Sequence, residues 1–125
     1  MVLLNTRQDM NRRLEKINKL LSQELAKAIH SEFAERFGII TVNLVNTSPD
    51  LKNAKVYLSI IGSQQIEPEL IIRSINQQSH NFRRLLIKKL SLKFIPEFEF
   101  AIDKSLNKVN QIETIIDQIN NENDT

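Results

Sequence analysis

No cysteine occurs anywhere in the chain. Disulfides, zinc ribbons, iron–sulfur clusters and thiol catalysis are excluded with it, and the absence agrees with a reducing compartment. Glycine is almost as scarce. Gly38 and Gly62 are the only two, so neither G-x-x-x-x-G-K-[ST] nor G-x-G-x-x-G can be written and no glycine-rich loop can cradle a phosphate. Two histidines, His30 and His80, leave little material for a histidine-based metal site. Apolar runs stop at about four residues, too short to cross a bilayer. Met1 to Arg7 offer neither a charged leader nor a long apolar stretch, so no secretory signal is expected. What is present is ordinary for a soluble globular protein: 125 residues, 41% hydrophobic and 26% charged, enough for one domain.

Charge of one sign is missing from one long stretch. The chain as a whole carries only +2, yet residues 70–96 hold six Lys/Arg and no Asp/Glu, whereas residues 97–125 hold two basic and seven acidic side chains. A carboxylate-free stretch in an otherwise acid-rich chain is an electrostatic footprint, and phosphate is the commonest anionic partner for one. Taken alone, one basic helix is more often a solvated face.

Apolar periodicity supplies the elements. Met10, Leu14, Ile17, Leu21, Leu25 and Ala28 form one stripe and predict a helix over 7–30, capped by Thr6 with Asp9, with 31–38 as an irregular turn ended by Gly38. Arg12, Lys16 and Lys19 fall on the opposite face, with Arg13 at its margin. Residues 39–47 and 53–61 are β-branched-rich and read as strands of a hairpin around Ser48-Pro49-Asp50-Leu51. Pro68 between two glutamates starts a short helix, 68–77. Ser79 is a cap for a further helix over 80–92, whose far face carries His80, Arg84 and Lys88, with Arg83 and Lys89 nearer its apolar side. Phe98, Phe100 and Ile102 alternate with Glu97, Glu99 and Asp103, a third strand over 97–103 with one wet face. Leu106, Val109, Ile112, Ile116 and Ile119 mark a last helix near 105–120, and residues 120–125 form a polar tail. The order α-β-β-α-α-β plus a terminal helix predicts an α+β domain over 1–119, a three-stranded sheet with helices on one face. The position of the third strand in the sheet is not readable.

Three stretches carry a family resemblance. Ile40 to Leu51 is similar to the pattern T-V-x-x-V-x-x-S-x-D-L. Ala54-Lys55-Val56-Tyr57-Leu58 follows it as A-K-V-Y-V does. Leu92 to Phe100, with Asp103-Lys104-Ser105, looks like L-R-x-x-P-E-L-x-F…D-x-S. In this order they resemble the ribosome-binding factor A family, assembly factors of the small ribosomal subunit with a type II KH-like domain. The resemblance implies a monomeric, cytoplasmic, non-enzymatic protein. Its partners would be the immature small subunit and its ribosomal RNA, with ribosomal proteins as further contacts. It implies a role in late maturation and rRNA processing, with no cofactor, no metal, no small-molecule substrate and no membrane. The RNA-binding residues expected on it are Arg12, Arg13, Lys16, Lys19, His80, Arg83, Arg84, Lys88 and Lys89. One departure concerns the interhelix kink. The family has Ala-x-Gly where ordinary KH domains have Gly-x-x-Gly, and the matching residues here are Gln78, Ser79 and His80.

Other readings stand beside this one. The acidic C-terminal part could make the same fold a protein-interaction adaptor without direct RNA binding. Asp50, Glu97 and Asp103 as a Mg²⁺ site would require a proximity that nothing in the sequence supplies. A hydrolase or transferase lacks a nucleophile–base pair, a phosphate loop and a metal cluster.

Overall fold

A computed structural model describes residues 2–62 and 65–105, and of residues 2–8 the backbone alone. Six elements follow one another: α1 (Val2–Phe37), β1 (Ile39–Thr47), β2 (Asn53–Ile61), α2 (Pro68–Gln77), α3 (Ser79–Lys89) and β3 (Glu97–Ile102). The predicted last helix and the polar tail lie outside the described residues, apart from Lys104 and Ser105, which take up helical conformation.

The first helix is longer than its capping signals suggest. At 36 residues it reaches about 54 Å. Thr6 sits inside it rather than at its start, and 31–37 is helix, not an irregular turn. Beyond Leu25 the apolar spacing continues through Ile29 and Phe33, both buried, to Phe37, and this packing carries the helix past the polar Ser31-Glu32 pair. Termination falls on Gly38 at φ +82°, a conformation that glycine adopts without a Cβ clash. At the other end residues 9–13 are all exposed, so α1 outruns the core before Ile17 packs against it.

The sheet order is β1-β2-β3, with β1 antiparallel and β3 parallel to β2. Strand three therefore lies beside strand two and forms an edge. The hairpin turn is held by Asp50, whose Oδ1 accepts from Ser48 Oγ at 2.6 Å and from the Lys52 amide at 3.1 Å. These donors, the Ser48 hydroxyl first, hold the Asp50 carboxyl below its ordinary range. A β-bulge between Val42 and Leu44 shifts the register of β1. Val45 and Thr47 are buried beyond it, and Leu44 turns outward opposite Tyr57.

One core joins the layers. Leu21, Leu25, Ile29 and Phe33 of α1, Ile71 and Ile75 of α2, and Phe82 and Leu86 of α3 pack on Val45, Val56, Leu58, Phe98 and Phe100. Phe82 makes edge contacts with Phe33 and Phe100 at 6.1 and 5.8 Å between centroids. All three helices thus cover one face of the sheet. The opposite face carries Leu44, half-buried Tyr57 and a polar row in which Ser59 Oγ donates to Asn43 Oδ1 and Asn43 Nδ2 donates to Asp103.

Candidate nucleic-acid interface

Helix α3 begins one residue after α2 ends. Gln78 alone separates them, at φ −96° and ψ 4°. Its amide donates to the Ile75 carbonyl, and its carbonyl accepts from the Phe82 amide. No glycine is needed because no residue of the kink has a positive φ. Ser79 is not the predicted cap: the helix has no side-chain cap, and Ser79 Oγ donates instead to the Phe98 carbonyl at 2.6 Å. Asn76 bonds the same strand twice, accepting from the Phe100 amide at 2.8 Å and donating to the Phe100 carbonyl at 3.0 Å. These groups point away from β2, so the kink is clamped to the free edge of the sheet.

With the kink fixed, the sides of α3 are fixed. Phe82 and Leu86 face the core, while His80, Arg84 and Lys88 are exposed on the outer side. The helix ends at Lys89 rather than at residue 92. Arg83 is half-buried, and its Nε donates to the Ile95 carbonyl at 3.0 Å, which ties the loop 90–96 to the helix. On α1, Arg12, Arg13, Lys16 and Lys19 are all exposed.

The two basic helices are neighbours. Lys89 Nζ approaches Glu24 Oε2 of α1 at 3.9 Å, and Lys27 Nζ approaches Glu24 Oε1 at 3.4 Å. Glu24, its side chain 17% exposed, thus lies between the helices and is shared by two lysines. Among the described residues Arg12, Arg13, Lys16, Lys19, Arg84 and Lys88 form no ion pair. The Lys89–Glu24 contact sets the C-terminal end of α3 beside α1 between Lys19 and Lys27, both exposed. An arrangement of this kind can neutralise a polyanion over a broad surface. Asp50 and Glu97 line one cleft without Asp103, and no cluster of His, Asp or Glu among the described residues could hold a metal ion. Phe94 is a residue that periodicity does not single out. It belongs to no stripe, yet it is 60% exposed in the loop that follows the basic helix, with Lys93 Nζ 5.6 Å from its ring centroid.

A family model described as ribosome-binding factor A matches residues 13–116. The chain belongs to the ribosome-binding factor A family. The ribosome-binding factor A of Chlorobium phaeobacteroides is 36% identical over 115 residues, 90% of this chain and 98% of that protein. The crystal structure of ribosome-binding factor A from Thermus thermophilus aligns with a TM-score of 0.63 at 21% identity, covering 71% of this chain and 94% of that one. Coordinates of the Thermus thermophilus factor fitted into the cryo-EM map of a 30S–RbfA complex align with a TM-score of 0.59 at 22% identity, over 70% and 91% of the two chains. These likenesses establish the KH-like fold. Within that family, the glycine-free kink of this chain is held by side-chain bonds to β3. No helix among the described residues is long and apolar enough to cross a membrane.

Proposed function

We propose that this chain is a non-enzymatic RNA-binding assembly factor that docks on the immature small ribosomal subunit, contacts its ribosomal RNA and assists late maturation and rRNA processing. The observation that carries this reading is the pairing of α1 and α3, two basic helices packed side by side in a member of a ribosome-binding family. A relative of the same fold has been fitted into the map of a complex with the 30S subunit. Arg12, Arg13, Lys16 and Lys19 on α1, and His80, Arg84, Lys88 and Lys89 on α3, supply the contacts. Arg83 contributes mainly by holding the loop that follows. Cations at fixed spacing attract phosphate without reading sequence, and they favour the RNA arrangement whose phosphates match that spacing. Binding then selects one conformer of the immature particle, and the factor leaves when maturation changes that conformer.

Charge reversal on the exposed side of α3 tests this directly. Arg84→Glu with Lys88→Glu keeps the core residues intact and is expected to retain the wild-type circular dichroism and melting temperature. Co-sedimentation of the double variant with isolated small subunits should fall at least tenfold at physiological salt. Retained co-sedimentation of the folded double variant removes α3 from the contact surface. Binding of the wild type to the subunit without salt dependence would favour a protein-mediated dock.

A further inference from the structure

We infer that the loop following α3 holds an unpaired RNA base against Phe94, in a cleft separate from the exposed sides of the basic helices. The inference rests on the RNA-binding reading above and adds to it a specific class of ligand, a nucleobase displaced from its stack.

Four observations converge on the cleft. First, Phe94 is 60% exposed, while the next two residues, Ile95 and Pro96, are buried. The ring therefore stands in solvent on a backbone anchored from below, and Arg83 Nε adds a bond to the Ile95 carbonyl. The backbone that carries the ring is thus already positioned when something stacks on it. Second, the cations around it suit a nucleotide. Lys93 lies 5.6 Å from the ring centroid, and Lys52 and Arg83 line the same cleft. Third, the cleft encloses about 440 Å³ and offers both an apolar wall, from Phe94, Leu51 and Ile95, and a polar one. Its acceptors, Asp50 and Glu97, are unsuited to a phosphate but suited to the amino and imino N–H groups of a base edge. Fourth, Leu51 adopts φ +62°, the one positive φ at a non-glycine among the described residues. The hairpin turn sets that conformation, the Leu51 amide donating to the Ser48 carbonyl, and it places the half-buried leucine side chain in the cleft wall.

Stacking on an aromatic face is tolerant of base identity and requires that the base be unpaired. Phosphate contacts by α1 and α3 do not. The two therefore separate in a titration of the full-length chain with one fluorescently labelled RNA oligonucleotide, used as a single strand and as its duplex. Phe94→Ala should lower single-strand affinity about tenfold. Duplex affinity should stay within twofold, and the slope of log affinity against log salt should be unchanged. Phe94→Trp should restore the single-strand affinity and Phe94→Leu should not, which distinguishes the π-face from mere apolar bulk. Because Phe94 is outside the core, all three variants should melt at the wild-type temperature. Equal losses on single strand and duplex, or no loss on either, overturn the inference and leave the basic-helix reading standing. Loss of small-subunit association with full single-strand affinity also overturns it and assigns the cleft to a protein partner. Failure of the wild type to bind either RNA overturns the RNA reading itself, and the base cleft with it.

Discussion

Thr47 closes β1 with its side chain 4% exposed, and its Oγ1 meets no hydrogen-bond partner among the described residues. Its amide is served, by Asn18 Oδ1 of α1 at 3.2 Å, so the hydroxyl alone is stranded. Burying a hydroxyl without a partner costs about 1–3 kcal/mol, and valine has the same branched shape without the oxygen. Thr47→Val is therefore expected to stabilise the fold by about 1 kcal/mol, read as a higher urea midpoint at unchanged slope. A lower midpoint would mean that the hydroxyl is satisfied by water. Single residues of the core differ in how legible they are. Phe98 and Phe100 can be assigned inward from the strict alternation of 97–102, and they are 6% and 2% exposed. Phe33 is no less buried, but it follows the polar pair Ser31-Glu32, so that only its spacing of four from Ile29 and Phe37 betrays it. Thr47 and Val45 are hidden more deeply, because the bulge at Asn43 and Leu44 moves the buried positions of β1 from even to odd numbers. No propensity marks that shift.

Among the elements, β3 shows how the sheet avoids an open edge. Its even-numbered residues direct their amides and carbonyls away from β2, and an exposed edge of this kind invites pairing with another chain. Asn76 and Ser79 answer with three bonds to Phe98 and Phe100. The side-chain amide of Asn76 bonds β3 as one residue of a further strand would. Asn76→Ala removes both bonds to Phe100 and is expected to cost about 1–3 kcal/mol in urea unfolding. It should also loosen the kink, visible as faster amide hydrogen exchange at Gln78 and Phe82, whose amides bond within the kink. A loss near zero would mean that water replaces the amide and that the kink is held by Phe82 and Ile75 alone. The polar run Gln77 to Asn81 does locate the kink in the sequence. What it touches depends on β3 being an edge beside β2, a long-range pairing that alternation within a single strand does not encode.

The whole molecule decides whether two basic helices act as one surface. Their cationic faces are legible from periodicity, residue by residue, but their adjacency is not, since α1 and α3 are brought together by the core rather than by neighbouring sequence. Glu24 is the charge at which this adjacency matters most. It is half-buried between the helices and opposes Lys27 and Lys89 together, so one carboxylate offsets part of two cations. An ion pair of this exposure contributes little to stability, about 0–1 kcal/mol, and Glu24→Gln preserves the shape of the side chain. Folding should therefore change little, whereas the surface presented to RNA gains one unit of positive charge. If the groove between α1 and α3 faces the polyanion, Glu24→Gln binds duplex RNA and small subunits severalfold more tightly at about 50 mM salt. The gain should shrink toward nothing near 1 M, where screening acts within about 3 Å. The slope of log affinity against log salt should steepen by about one, as one further cation pairs with phosphate. Unchanged affinity at low salt would turn the groove away from the RNA and leave α1 and α3 to act on separate partners, because a charge at their junction cannot be silent if both ridges meet the same polyanion.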